Sequence, residues 1–157
     1  MPVVESLRTV PSPLGTLAIL ATNRGITAVE LHAAVQSSRG EQYGFLEECA
    51  RQLAEYFDGA RRTFTDLPLA VRGTEFQLDV WEALRHIDFG VTQTYGELAE
   101  RVGSGGGAQA VGQALTRNPI AIIVPCHRIV PSDGSLGGYA GGAAAKRWLL
   151  NHEGGRF

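Results

Sequence analysis

The feature that most constrains the fold is a pair of helix-start signals in the second half of the chain. Thr74 and Gln77 form a T-x-x-Q capping box before the apolar periodic run TEFQLDVWEALRHI, and Thr94 and Glu97 form a second box before YGELAERV. A glycine-rich stretch, GSGGG, then precedes a third helical run, AQAVGQALTR, which ends at an Asn-Pro dipeptide. Helix, short turn and helix in this order is the pattern of a helix-turn-helix. The alternative is plain helical packing, which is the more common outcome for two helices joined by a glycine turn.

The first half of the chain predicts a small α/β unit. GTLAILATNRGITAVELH contains two strand-like runs separated by the hairpin signal TNRG, and EQYGFLEECARQLAEYFDGA has helical apolar spacing up to Gly59. We therefore expect an α/β N-terminal domain, a small sheet plus a helix, over residues 1–72. Residues 73–157 are expected to form a mainly α C-terminal domain with a winged-helix-like helix-turn-helix.

Composition is that of an ordinary globular protein. The 157 residues are 44% hydrophobic and 19% charged, and no apolar run reaches the roughly 18 residues of a membrane span. The first residues lack the apolar region of a signal peptide, so a cytoplasmic location is the default expectation. A net charge of −2 does not indicate a nucleic-acid binder, but net charge does not constrain a local patch.

The two cysteines predict different roles. Cys49 lies on the apolar stripe of the first helix and is interpreted as a small buried core residue. Cys126 lies between Pro125 and Pro131, after the apolar run AIIV, which is typical of a buried strand. A thiol at the junction of a rigid element and a loop is a candidate nucleophile. The spacing suits neither a disulfide framework nor a metal site.

A nucleophilic thiol needs a base or a positive environment to generate its thiolate. His127 is the nearest candidate base. Because adjacent side chains on a strand point to opposite faces, either the backbone turns here or a water carries the proton. Glu153 and His152 are both candidates for orienting His127, and the sequence does not rank them. The competing interpretation is a packed cysteine beside a solvated histidine and arginine.

The third helical run has few side chains suited to reading bases. Within residues 108–116 only Gln109, Gln113 and Thr116 are polar, whereas a major-groove recognition helix normally carries several long polar side chains. A helix with such small side chains can lie close to DNA in a minor groove without reading its sequence. Arg117 and Ser132 could then contact phosphates.

Two tyrosines have glycine neighbours that leave their rings accessible. Tyr95 lies in TYGE and Tyr139 in GGYAGG. Such rings can stack on, or donate a hydrogen bond to, a base that has left the duplex. The alternative is an ordinary loop tyrosine half packed against the core.

Taken together, these residues resemble the O6-alkylguanine-DNA alkyltransferases, also called methylated-DNA–protein-cysteine methyltransferases. The similarity covers essentially all of residues 73–154 and is looser before them. The matching segments are GTEFQLDVWEAL, TYGELA, AVG, NPIAIIVPCHRIV, GSLGGYAGG and KRWLLNHEG.

The resemblance implies a repair protein that is consumed by its reaction. It would bind double-stranded DNA in the minor groove, flip out O6-alkylguanine and move the alkyl group irreversibly to its own cysteine. No cofactor is implied. The zinc-binding form of the family uses cysteines in its N-terminal region, and because none lies before Cys49 here, no metal is expected. We expect a monomer in solution, and leave open cooperative assembly on DNA, the largest alkyl group accepted and activity on O4-alkylthymine.

The resemblance also assigns roles residue by residue. In the catalytic group, Cys126 is the alkyl acceptor, His127 is its water-linked base, and Glu153 is the carboxylate that orients His127. Asn118 ties the recognition helix to the active-site strand. Tyr95 is the phenol that assists proton delivery. The base pocket is Tyr95, the carbonyls of Cys126 and Ile129, Tyr139 and the Ala140 backbone. The DNA contacts are Tyr95, Gly96, Ser104, Gln109, Arg117 and Ser132.

One position departs from the family pattern. Gln109 stands where the family usually has an arginine that enters the duplex in place of the flipped base. Glutamine is shorter, uncharged and poorer at stacking, so we predict weaker or slower engagement of duplex DNA.

Three rival functions remain at this point. A non-catalytic relative that binds alkylated DNA and recruits other repair factors would lack the cysteine. A helix-turn-helix transcription factor would need base-reading side chains that AQAVGQALTR lacks. A cysteine hydrolase would turn over many times, whereas the alkyl acceptor would stop after one event.

Overall fold

The computed structural model describes residues 5–103 and 107–157, and these form two compact units. The first contains the described residues up to Val71 together with Pro119–Ala121. The second contains residues 72–118, apart from the undescribed 104–106, and Ile122–Phe157.

The first unit is a three-stranded antiparallel sheet with one helix. Strands β1 (Ser6–Val10), β2 (Leu17–Thr22) and β3 (Gly25–Glu30) lie in the order β1–β2–β3. Thr22 pairs with Gly25, which confirms the predicted hairpin. A Cβ at residue 25 would lie 2.6 Å from the Pro68 carbonyl oxygen, so this close approach requires glycine.

Helix α1 (Gly44–Phe57) packs on β2 and β3 through the apolar stripe predicted from its sequence. Cys49 is fully buried on that stripe, which confirms its interpretation as a core residue. Gly59 follows the helix with φ of +80°, the conformation that commonly ends helices. A segment from later in the chain completes this unit, since Ile120 pairs in parallel with Val29 of β3.

The second unit is mainly helical. Helices α2 (Glu75–Leu84), α3 (Tyr95–Val102) and α4 (Gly107–Thr116) pack on one another, and the buried Trp81 Nε1 donates to the Ala114 carbonyl at 2.9 Å. Both capping boxes are present, which confirms the two predicted helix starts. The final helix, α5, spans Ala143–His152.

Two short parallel strands position the start of α3. Strand β4 (Gln93–Thr94) pairs with β5 (Ile129–Val130), with Gln93 opposite Ile129 and Thr94 opposite Val130. Because α3 begins immediately after β4 and β5 immediately follows Arg128, this pairing brings Tyr95 near the segment that contains Cys126.

The strand predicted for AIIV before Cys126 is wrong. Residues 121–124 form turns, and Ile122 has φ of +72°, a left-handed conformation that interrupts an extended strand. Burial alone explains the apolar run, because Ile122, Ile123 and Val124 are all buried. Apolar composition therefore indicated burial correctly and the backbone conformation incorrectly.

Candidate active site

The backbone turns at Cys126. Pro125 has φ of −82° and ψ of 64°, and the Cys126 N–H donates to the Val124 carbonyl at 2.8 Å, which together define an inverse γ-turn. A 3₁₀ turn over Cys126–Arg128 follows. Of the two routes that the sequence left open, the backbone turn is therefore present. Cys126 is 8% exposed and lines a pocket.

Glu153 receives hydrogen bonds from two buried side chains. Its Oε2 lies 2.8 Å from His127 Nε2, and its two oxygens accept from Arg128 Nε at 2.8 Å and Nη2 at 3.0 Å. Arg128 Nη1 also donates to the Ile87 carbonyl at 2.6 Å. Of the two candidate orienting residues, the structure thus places Glu153 against His127, whereas His152 stacks on Trp148.

This arrangement determines which nitrogen of His127 can act as a base. A carboxylate can only accept, so Nε2 carries the proton shared with Glu153, and Nδ1 keeps its lone pair. Among the described residues, Nδ1 has no hydrogen-bond partner although it is buried. A neutral His127 is therefore oriented to accept a proton at Nδ1.

The pKa values of this cluster follow from burial and charge. Burial would raise the pKa of Glu153, but hydrogen bonds and positive charge from His127 and Arg128 hold it well below its usual value. Burial lowers the pKa of His127, although Glu153 acts to raise it. Burial also raises the pKa of Cys126, and a hydrogen bond from Asn118 and the charge of Lys146 oppose that rise. The resting thiol is therefore protonated at neutral pH and needs a base.

Stability should fall in acid because of these shifts. The pKa values of His127 and Glu153 are depressed in the folded chain, so the unfolded chain binds more protons below their ordinary values of 6.5 and 4.5. The urea midpoint should decline as pH falls through 6.5 and decline further below 4.5. H127N should weaken the decline near pH 6.5, whereas H86Q, at an exposed histidine, should preserve it. A wild-type midpoint that is constant across this range would contradict the assignment.

The pocket beside Cys126 has a volume of about 240 Å³. That is slightly below the roughly 300 Å³ at which typical small-molecule pockets begin, and it suits one planar base. Its lining combines two tyrosines, the thiol and several small residues: Tyr95, Gly112, Leu115, Thr116, Cys126, Gly138, Tyr139 and Ala140.

Small residues hold space around Tyr95. A Cβ at Gly112 would lie 3.9 Å from Tyr95 Cε1, and one at Gly137 would lie 3.2 Å from the Tyr95 hydroxyl and 2.8 Å from Pro131 Cδ. Burial, and secondarily the negative charge of Cys126, raise the pKa of Tyr95. Its phenol therefore keeps its proton and can donate it.

Asn118 links the end of α4 to the Cys126 segment. Its Nδ2 donates to the Val124 carbonyl at 2.9 Å, and its side chain also hydrogen-bonds the Cys126 thiol. The interaction spans the turn that replaces the predicted strand.

The remaining predicted residues lie in different places. Ala140 and Tyr139 line the pocket, whereas Ile129 is fully buried outside the lining and its carbonyl accepts from Lys146 at 2.6 Å. Ser104 lies outside the described residues. The other predicted DNA contacts are exposed, namely Gly96, Gln109, Arg117 and Ser132.

Sequence reasoning missed two buried cations, Arg128 and Lys146. Arg128 would have been solvated in the competing interpretation, yet it is 6% exposed and paired with Glu153. Lys146 is fully buried, and the available signal was that it is the only lysine in the chain. Elsewhere in the described ranges, no group of three His, Cys, Asp or Glu side chains could hold a metal ion. No helix within those ranges is long and apolar enough to cross a bilayer.

Two family models account for most of the chain. Residues 75–155 match the DNA-binding domain of 6-O-methylguanine DNA methyltransferase, and residues 7–71 match its ribonuclease-like domain. The chain belongs to this family. The family and fold class predicted from the sequence are thereby confirmed.

Individual members of the methyltransferase family are similar over nearly their whole length. The methylated-DNA–protein-cysteine methyltransferase of Methanosarcina acetivorans is 44% identical over 148 residues, covering 91% of this chain and 94% of that protein. The Haemophilus influenzae protein of the same name is 39% identical and covers 91% of this chain and 83% of its own length.

Solved structures of the Mycobacterium tuberculosis methyltransferase have the same fold. One structure of its O6-methylguanine methyltransferase has a TM-score of 0.84 at 38% identity and covers 96% of this chain and 93% of that one. The complex of that organism's OGT with DNA has a TM-score of 0.83 at 43% identity, with coverages of 94% and 91%.

Proposed function

We propose that this chain repairs DNA by moving the alkyl group of O6-alkylguanine to its own Cys126 in a single turnover. Membership of the family and the names of its relatives confirm the predicted activity class, methyl transfer from DNA to a protein cysteine. The acceptor, the base and the DNA contacts are our assignment. The observation that carries it is a buried thiol lining a base-sized pocket, next to a histidine whose Nδ1 has no hydrogen-bond partner among the described residues.

The reaction balances with the residues of this site. Nδ1 of His127 takes the Cys126 proton through a water, since a protonated thiol is a poor nucleophile. The thiolate Sγ attacks the alkyl carbon, an S–C bond forms, and the C–O6 bond breaks with its electron pair going to guanine. The Tyr95 hydroxyl donates a proton to the leaving guanine and regains one from His127. The products are an S-alkylcysteine and guanine.

DNA binding is proposed to use the helix-turn-helix formed by α3 and α4 in the minor groove. The exposed positions of Gly96, Gln109, Arg117 and Ser132 suit phosphate and groove contacts. The flipped base would then enter the pocket between Tyr95 and Tyr139. A monomer acting in the cytoplasm remains our expectation.

A non-catalytic DNA-binding role gains no support. The relatives that match nine-tenths of this chain carry the methyltransferase name, and Cys126 lines the pocket.

The single-turnover claim can be tested with excess substrate. Incubating the chain with an excess of duplex containing O6-methylguanine should convert one base per chain and then stop, because the S-methylated Cys126 can no longer form the attacking thiolate. Methyl loss from DNA and intact protein mass should plateau together. Continued conversion beyond one base per chain would instead indicate a hydrolase and overturn the proposal.

Replacing Gln109 with arginine, the residue that the family usually has at this position, should accelerate repair of duplex DNA. Gln109 is exposed on the first turn of α4, and arginine there adds charge and a stacking plane. One added stacking contact predicts an increase of about tenfold on duplex, and little change on single strands, in single-turnover assays. Q36R adds the same charge at an exposed position of the first unit and serves as the control. Equal rates of repair on duplex DNA for Q109R and the natural protein would contradict this prediction.

A further inference from the structure

Lys146 is a buried cation that the proposed chemistry does not use. It is the only lysine among 14 lysines and arginines in the chain, and its side chain is fully buried in α5. Within the described residues it forms no ion pair with a carboxylate. An apolar side chain of similar length would fill this volume without the cost of desolvating an ammonium group. Packing alone therefore does not explain a lysine here.

Its partners are two backbone carbonyls from different parts of the site. Lys146 Nζ donates to the Ile129 carbonyl at 2.6 Å and to the Gly138 carbonyl at 3.1 Å. Ile129 directly follows the Cys126–Arg128 turn, and Gly138 lines the pocket. One ammonium group thus links the residue after the turn that presents the thiol to a second part of the pocket lining.

The segment that contains Gly138 has two adjacent glycines. Gly137 and Gly138 have no side chains to pack, and the backbone of Gly137 has φ of +76°. Glycine segments have the largest conformational freedom, so the hydrogen bond from Lys146 to the Gly138 carbonyl restricts a backbone that side-chain packing at residues 137 and 138 does not. This part of the pocket lining then continues through Tyr139 and Ala140 toward α5, the helix that carries Lys146.

We propose that Lys146 is a positioning residue for alkyl transfer, holding the Gly138 wall of the pocket against the Ile129 carbonyl so that a flipped base is clamped in line with Cys126. This inference rests on the proposed function.

The charge of Lys146 agrees with this placement. Burial lowers the pKa of Lys146 to about 8, and the negative charge of the Cys126 thiolate acts to raise it. Reciprocally, the Lys146 charge lowers the pKa of Cys126 against the effect of burial. The ammonium group is thus close enough to the thiol to interact with it electrostatically.

The test separates positioning from folding by single-turnover kinetics over a range of duplex concentrations. K146M removes both hydrogen bonds and should lower the limiting rate constant at least about tenfold, because misplacing a reacting group by an ångström is costly. The half-saturating duplex concentration and the fraction of chains finally alkylated should stay near wild type. K146Q retains two N–H donors and should lose less. R147M, which removes an exposed charge from the same helix, should keep the wild-type limiting rate.

The other outcomes overturn the inference. A wild-type limiting rate constant in K146M would mean that the two hydrogen bonds of Lys146 have no role in alkyl transfer. A smaller alkylated fraction or an earlier melting transition, with the rate constant unchanged, would mean a structural role only. If K146M does not fold, K146Q decides between the same outcomes. Failure of the natural protein to accept any alkyl group would overturn the proposed function instead, which keeps the two claims distinguishable.

Discussion

Replacing Cys126 with serine is expected to abolish alkyl transfer completely while preserving binding to alkylated duplex. A serine hydroxyl lacks the nucleophilicity of a thiolate, and the neighbouring base does not compensate for that. The substitution is nearly isosteric and lies in a pocket wall, so the fold should persist. Intact mass after incubation with O6-methylguanine duplex should show unmodified C126S, and gel shift should show a retained complex.

Cys49 provides the matched control for this loss. It is fully buried in α1, and burial raises its pKa to about 12, which makes it unreactive. C49A should therefore gain one methyl group per chain like the natural protein. Methylation of C126S would contradict the assignment of the acceptor, as would the loss of methylation in a folded C49A.

Replacing Glu153 with glutamine should damage both stability and chemistry. The neutral amide leaves the buried Arg128 without its counter-charge, and removing one partner of a buried pair typically costs about 3–5 kcal/mol. The amide can also donate to His127 Nε2, which would move the ring proton to Nδ1 and remove the base. The transfer rate should then fall about 10²–10⁴-fold, the usual contribution of general-base catalysis.

Chemical denaturation and single-turnover rates measure these two effects separately. E55Q is the control, because Glu55 pairs with Arg51 and Arg61 near the surface, where such pairs contribute at most about 1 kcal/mol. Near-wild-type stability and rate in E153Q would show that Glu153 neither neutralises Arg128 nor orients His127.

Local signals in the sequence determined much of the fold. The capping boxes at Thr74 and Thr94 are short-range hydrogen-bond patterns, so four residues suffice to predict each helix start. The hairpin at residues 22–25 is similarly local. By contrast, the pairing of Ile120 with Val29 joins distant residues, and no periodicity around either one indicates it.

In the site, too, residues close in sequence were predictable, whereas contacts between distant residues were not. Cys126 and His127 are adjacent, and a motif reveals them, whereas the ranking of Glu153 over His152 depends on where the end of α5 lies relative to the turn. Lys146 was harder to interpret, because a lone lysine on a helix is usually solvated. The role proposed for it rests on hydrogen bonds to two backbone carbonyls, which have no signature in the amino-acid sequence.

The strand predicted before Cys126 shows the limit of apolar runs as a signal. A buried turn and a buried strand need the same composition, and only the left-handed backbone at Ile122 distinguishes them. The correction matters for chemistry. A strand would alternate the Cys126 and His127 side chains, whereas the inverse γ-turn and the 3₁₀ turn set the thiol in the pocket and the imidazole against Glu153.

The most direct test of the central claim is to locate the transferred methyl group. The natural protein is incubated with duplex containing isotope-labelled O6-methylguanine, digested, and analysed by tandem mass spectrometry. The account predicts one labelled methyl group per chain, as a thioether on Cys126, with none on Cys49. Label on another residue, or label released into solution while the DNA is repaired, would contradict it.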